Sequence, residues 1–367
     1  MANKRWLQTA VSASAVAVLV GLSACGSSGN GNTATGGGST AASTTGSSAP
    51  TVQFKSVEQN VPDAYPQPKP GKYHLAYLNP VGGNEFLHTL GEGMRLETKK
   101  LGGTYTEYDA KGDVNTQVGQ FDQAIAQNVD GIAVFALDPG SVAPEVKKAK
   151  KAGIPLVTID LDFTATPDLH GFDTQVLQRR DEAAYLGAQQ MAKQVGQGGL
   201  IGTIDFAIKV PSIVFSIDRG KYWAQQFGLK IGGNASNPSD DIAGGEKAAT
   251  QLLSKFPDLK GVIAYNDPSA IGGASAARTQ GKTDIVFGGQ NGGSDAFEAI
   301  KAGRESYTMK LDAPGMGKDF AWALFNLKEG VKVPKSVKAG QPVLVTKDNV
   351  SQVPTWQQTL QKEYGAT

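Results

Sequence analysis

Short continuous apolar runs alternate along this chain with stretches whose apolar residues recur every three or four positions. Tyr73-His74-Leu75-Ala76-Tyr77-Leu78 is strand-like, and a helical pattern follows from about Glu85 to Lys100. Thr104 to Asp109 again suits a strand, and Thr116 to Asn128 a helix with Phe121, Ile125 and Val129 on one face. Gly131–Phe135 and Ile154–Ile159 are the kind of apolar run that a strand buried on both sheet faces requires. A lysine-rich helix over 143–151 separates them and ends at Gly153. Beyond Gly171 the alternation resumes. Helices are expected over 179–194, 213–227, 245–255, 269–279 and 295–301, with strands at 200–206, 262–265 and 285–287. Strand and helix in regular alternation predict parallel sheets covered by helices on both faces. Two blocks of comparable size predict an α/β protein of two doubly wound parallel-sheet lobes.

The ends of the chain follow other rules. Lys4 and Arg5 precede a largely apolar, alanine-rich segment, Leu7 to Val20, which is too short for a spanning helix of ~20 residues. It reads as a secretory signal peptide over 1–24. Leu22-Ser23-Ala24-Cys25 resembles the bacterial lipobox, which implies cleavage before Cys25 and a diacylglycerol on its thiol. From Gly26 to Ala49 only Gly, Ser, Thr, Ala and Asn occur, 18 of the 24 residues being Gly, Ser or Thr. Such a segment buries too little apolar surface to offset its ordering entropy. Residues 25–50 are therefore expected to act as a tether spanning about 25–30 Å. Residues 51–71, with Pro62, Pro66, Pro68 and Pro70, are expected to form a stiffer approach to the folded body. The protein is thus placed on the extracytoplasmic side of a cell membrane, held by lipid.

Charge and composition narrow the function classes. Thirty-five Lys and Arg offset 34 Asp and Glu, a net charge of +1 over 367 residues. That balance argues against a general nucleic-acid binder, which needs a basic surface. The single cysteine excludes a disulfide framework or a cysteine-based zinc cluster, and three scattered histidines (His74, His88 and His170) argue against a metal site. No cofactor is expected. Gly281-Lys282-Thr283 looks like the end of a phosphate loop, but Ala276 stands where the leading glycine is required.

Ligands of open parallel sheets sit beyond the carboxyl ends of the strands. Four polar clusters fall there: Asn79-Pro80 with Asn84-Glu85-Phe86, Asp160-Leu161-Asp162, Asn266-Asp267-Pro268 and Gln290-Asn291-Gly292-Gly293. Each Asn or Asp taken singly could be a turn former or a helix cap. Four such ends drawn from both blocks suit a neutral polyhydroxyl ligand, because every hydroxyl both donates and accepts.

The motifs Asn84-Glu85-Phe86, Gly153-Ile154-Pro155-Leu156-Val157-Thr158-Ile159-Asp160, Asn266-Asp267-Pro268-Ser269-Ala270-Ile271-Gly272 and Gly289-Gln290-Asn291-Gly292 carry a family resemblance. From about Lys72 to Val345 the chain resembles a type I periplasmic sugar-binding protein, in the ribose-binding group of ABC importer receptors. The resemblance implies lobes joined by a three-strand hinge, with crossings near Phe172, Leu311 and Gly340. The first lobe would hold residues 72–172 and 311–339, and the second 173–310 and 340–367. It implies that Asn84 binds ligand, Phe86 stacks on a sugar face, Asp160 grips two hydroxyls, and Asn266 and Asn291 contribute amides. Glu85 stands where the family has proline. Leu161 and Ile217 stand where it has arginines, with Arg219 two positions further on. Asp162 and Lys209 are polar neighbours that could fill the gaps.

The resemblance implies an ABC permease as partner, no enzymatic activity and a monomer. A secreted carbohydrate-active enzyme and a sugar sensor without transport stand as alternatives. With the expected arginines lost, an acyclic polyol of four to six carbons, such as xylitol or threitol, stands level with a pentose, and charged ligands are disfavoured. For the anchor, Cys25→Ser is expected to leave an unlipidated precursor with its signal attached, or to release the protein from the membrane fraction. Equal membrane retention with an unchanged mass shift on maturation would overturn the lipobox assignment.

Overall fold

In the computed structural model residues 60–365 are described; Cys25, the signal segment and the tether lie outside them. Six strands form a first sheet: β1 (His74–Asn79), β2 (Thr104–Asp109), β3 (Gly131–Val134), β4 (Leu156–Ile159), β5 (Thr174–Leu177) and β11 (Ser336–Lys338). Their order is β11-β5-β4-β3-β1-β2 and all their pairings are parallel. The second sheet holds β6 (Leu200–Phe206), β7 (Lys230–Asn237), β8 (Gly261–Ala264), β9 (Val286–Asn291), β10 (Tyr307–Lys310) and β12 (Val343–Thr346) in the order β12-β10-β9-β8-β6-β7. It is parallel except at β12, which runs antiparallel to β10 on the edge. All four residues of β3, β4, β5 and β10 are buried, as the apolar runs at β3 and β4 predict.

The first lobe carries α1 (Glu85–Lys100), α2 (Val114–Ala126), α3 (Pro139–Lys151) and α9 (Ala313–Lys328). The second carries α4 (Arg180–Val195), α5 (Pro211–Gln226), α6 (Ile242–Lys255), α7 (Asp267–Thr279) and α8 (Ser294–Lys301). Many of these helices start where a strand has just ended, so the capping side chains gather at the carboxyl edges of the sheets. Asn84 accepts from the N–H groups of Phe86 and Leu87, Asp241 from Gly244 and Asn266 from Ser269. Polar residues at strand ends thus cap helices and face the cleft together.

The chain crosses between the lobes at Gln178–Arg179, at Leu311–Asp312 and at 339–342, and returns to the first lobe once more between β12 and the C-terminal helix. The first crossing lies beyond the expected Phe172, which sits buried in the first lobe in a turn closed by its N–H on the Leu169 carbonyl. The chain then adds β5 between β4 and β11 before leaving. Thr174 and Gln175 break the apolar run there, and this hid the strand. Two further expectations are corrected. Residues 340–367 divide: β12 joins the second sheet, but α10 (Trp356–Tyr364) packs on the first lobe, with Trp356 against Phe86 and Lys318 paired to Glu363. The approach segment is docked from Pro62 onward. Lys338 N–H donates to the Pro62 carbonyl, the Asn326 amide to that of Pro66, and the buried Tyr65 hydroxyl lies 2.8 Å from Thr174 Oγ1.

Helices α1 and α9 cross closely on two glycines. A Cβ on Gly317 would lie 2.0 Å from the Leu90 carbonyl oxygen, and one on Gly93 would lie 2.2 Å from that of Pro314. Gly119, on the exposed face of α2, has nothing within 4 Å of such an atom. Gly317→Ala is therefore expected to cost roughly 1–3 kcal/mol by forcing the helices apart. Gly119→Ala should stabilise by roughly 0.5–1 kcal/mol through backbone entropy. Urea unfolding of both variants reads the difference.

Candidate functional site

The carboxyl edges of the two sheets face each other, and the side chains between them come from both lobes. Phe86, Leu87 and Phe135 of the first lobe share one apolar cluster with Phe206, Val210, Ile217 and Tyr265 of the second. Phe163 stacks on Phe215 across the same divide, with centroids 3.9 Å apart and planes 3° from parallel.

Within this apolar frame the polar groups form two connected sets. Asp240, held at φ 59° just beyond β7, is the centre of the first. One of its carboxylate oxygens accepts from the Tyr265 hydroxyl at 2.6 Å and the Asn266 amide at 2.7 Å. The other accepts from the Asn84 amide of the opposite lobe at 2.9 Å. Burial pushes the Asp240 carboxyl upward, while the hydrogen bonds from Tyr265 and Asn84 oppose that shift. Asn84 and Asn266 each use the amide oxygen as a helix cap, so the cap and the cleft contact are one side chain.

The second set is the ion pair of Asp160 with Arg180, the first residue of α4. Asp160 is 1 % and Arg180 3 % exposed. Arg180 Nε donates to Asp160 at 3.0 Å, and the Gln178 N–H donates to the other carboxylate oxygen at 2.8 Å. Arg180 lines the cleft beside Asn84, Phe86, Asp240, Asn266 and Asn291. Its terminal nitrogens find no acceptor among the described residues, so they are free to serve a ligand.

The expected site residues therefore separate. Asn84, Phe86, Asn266 and Asn291 line the cleft, with Asn291 at φ 116° at the end of β9. Asp160 lies one step behind it and orients Arg180. Glu85 borders the cleft, but its carboxylate accepts from the Ser294 N–H at 2.9 Å and hydroxyl at 3.0 Å. It thereby joins α1 of one lobe to the N-terminus of α8 in the other. Asp162 and Lys209 are not brought in. Asp162 accepts from the Thr164 and Asp168 N–H groups of its own loop, and Lys209 pairs at 2.6 Å with Asp205 on an exposed face.

The arginine positions also resolve. Leu161 and Ile217 are buried, and Arg219 binds Asp181 and lies over Tyr222. The guanidinium comes from Arg180 instead, which corrects the expectation that the cleft lacks one. Arg180 and Asp240 were missed because β5 and β7, which end just before them, carry too many polar and glycine residues to read as strands.

Below the cleft, the buried Asp267 accepts from Thr308 at 2.5 Å and from the Gly292 and Gly293 N–H groups at 2.7 and 3.2 Å. Burial still pushes its carboxyl up to about 7. Glu305 is buried beside it and is pushed well upward, first by desolvation and then by the Asp267 charge.

Chemically the arrangement can clamp hydroxyls. It has paired charges, amides and an apolar face, and two lobes whose contacts meet across it. Residues 75–332 match the family of the periplasmic binding protein domain. The chain belongs to that family, in its type I sugar-binding branch, and is a solute receptor rather than an enzyme. It is 27% identical over 257 residues to the ribose import binding protein RbsB of Bacillus subtilis, covering 70% of this chain and 82% of the relative. It is 30% identical over 255 residues to a xylitol-binding protein of Mycolicibacterium smegmatis, covering 66% and 68%. Among solved structures, an ABC transporter solute-binding protein from Agrobacterium vitis with bound D-fucose superposes with a TM-score of 0.69. That pair is 26% identical, over 76% of this chain and 97% of the other.

The buried carboxyl pair yields a pH prediction. A raised Glu305 pKa means that the folded state holds its proton more tightly than the unfolded chain does. Its contribution to stability is therefore present below the ordinary value of 4.5 and is lost as pH rises above it. Glu305→Gln carries no proton to lose. The melting temperature of that variant relative to the parent protein is expected to rise between pH 4.5 and 8; a constant offset would disprove the assignment.

Proposed function

We propose that this protein captures a small neutral sugar or sugar alcohol, a pentose or a polyol of four to six carbons, between its lobes. It then delivers the ligand to an ABC transporter permease, while a lipid on Cys25 holds it at the extracytoplasmic face of the cell membrane. The observation that carries this reading is the charge balance of the cleft. Arg180 is already neutralised by Asp160, and Asp240 adds a carboxylate, so an anionic ligand meets net repulsion. What remains are donors and acceptors in the mixture that hydroxyls satisfy, with Phe86 supplying an apolar face. The ribose- and xylitol-binding relatives support the ligand class, and Leu22-Ser23-Ala24-Cys25 supports the anchor.

Closure follows from the same contacts. Asn84 and Phe86 come from one lobe and Asp240, Asn266 and Asn291 from the other, so a ligand touching both favours the closed form by its extra contacts. Calorimetric titration with xylitol, threitol, ribose, xylose, an amino acid and a sugar phosphate tests the reading. Tightest binding is expected from a neutral compound; tightest binding by either charged one would overturn it. Asp240→Asn should weaken the neutral ligand by about 1–3 kcal/mol, because Tyr265, Asn266 and Asn84 lose a charged acceptor.

A further inference from the structure

The hydrogen-bonding cell around Arg180, Tyr265 and Asn266 measures about 60 Å³, far less than the space beside it. It shares Asn84, Phe86, Asp240 and Asn291 with a second chamber of about 400 Å³ that reaches outward between the lobes. A pentose seated on the inner groups must extend past Asn84 and Asp240 into that chamber, and would leave most of it unfilled. The chamber persists although Glu85 and Ser294 already hold the lobes together at its edge. Its walls are largely apolar: Phe86, Ile242, Ala243, Pro268, Ala296 and Trp356. Ile242 is 41 % exposed there, one of few large apolar side chains so exposed among the described residues. No lysine or arginine lines the chamber. Its carboxylates are Glu85, Asp240, Asp241, Asp267 and the exposed Asp295, of which the first four accept from hydroxyl, amide or backbone N–H donors of the protein.

We propose that the ligand is a glycoside or substituted polyol, whose hydroxylated head sits at Arg180 and Asp240 and whose uncharged, ring-sized substituent fills this outer chamber. The inference rests on the neutral-polyhydroxyl reading above and extends it. An apolar substituent there is removed from water against Ile242 and Trp356, whereas an anionic one meets only carboxylates. The size of the chamber lies within the ordinary range for small-molecule pockets.

Calorimetric titration of the full chain with ribose, xylose and xylitol, and with the phenyl α- and β-glycosides of both pentoses, tests it. At least one phenyl glycoside is expected to bind ten or more times tighter than its parent sugar. Ala243→Trp, on an exposed position that borders the outer chamber and not the inner cell, should bring the glycoside-to-parent affinity ratio down to about one. Phenyl glycosides that bind no tighter than their parents, while the parents bind, overturn the inference and leave the sugar reading intact. A gain that survives Ala243→Trp overturns it equally. Failure of every parent and every glycoside to bind overturns the sugar reading, and the inference with it.

Discussion

The Asp160–Arg180 ion pair joins the carboxyl end of β4 in one lobe to the first residue of α4 in the other, directly beside the first hinge crossing. Both partners are almost completely buried, and removing either alone would strand a charge, at a typical cost of 3–5 kcal/mol. Strand end, hinge and cleft electrostatics are thereby coupled. The carboxylate fixes Nε, the hinge residue Gln178 donates to the same carboxylate, and the guanidinium edge that remains faces the cleft. A buried, geometrically demanding pair beside the crossing fixes how the two lobes meet there.

Around that point the two lobes are held together by contacts of different kinds. Asn84 to Asp240 is a charge-assisted hydrogen bond across the cleft, Glu85 to Ser294 sets an anion at a helix N-terminus, and Phe163 on Phe215 is an aromatic stack. Single contacts of these kinds contribute from a few tenths of a kcal/mol to a few. Helix capping keeps the site cheap in conformational terms. Asn84 and Asn266 are already ordered by their caps, so presenting their amides to the cleft adds little entropy cost.

How much of this was readable in the chain depended on burial. Strands β1, β3 and β4 are apolar runs and stood out, as did α1 with its Asn84 cap. Strands β5 and β7 were silent, because one carries Thr and Gln in fully buried positions and the other is a glycine-rich edge strand, Lys230–Asn237. The two cleft residues that sequence reasoning missed, Arg180 and Asp240, are those that follow the silent strands. Asp162 and Lys209 were candidates by proximity alone, and their local partners absorb them.

The order of apolar runs and helical stretches, read along the chain, determined the α/β class, the two-lobed plan and the gathering of polar candidate residues at strand ends. Those properties depend on periodicity and on where the chain must turn, both of which are local. Tertiary structure alone decided which polar side chains meet. A guanidinium reaches the cleft from α4 rather than from the positions the family pattern implies, and the C-terminal helix packs on the lobe opposite to the strand before it. A buried charge is tolerated only where a partner from elsewhere in the chain arrives to neutralise it. Such pairings follow from three-dimensional burial, and sequence spacing holds no record of them.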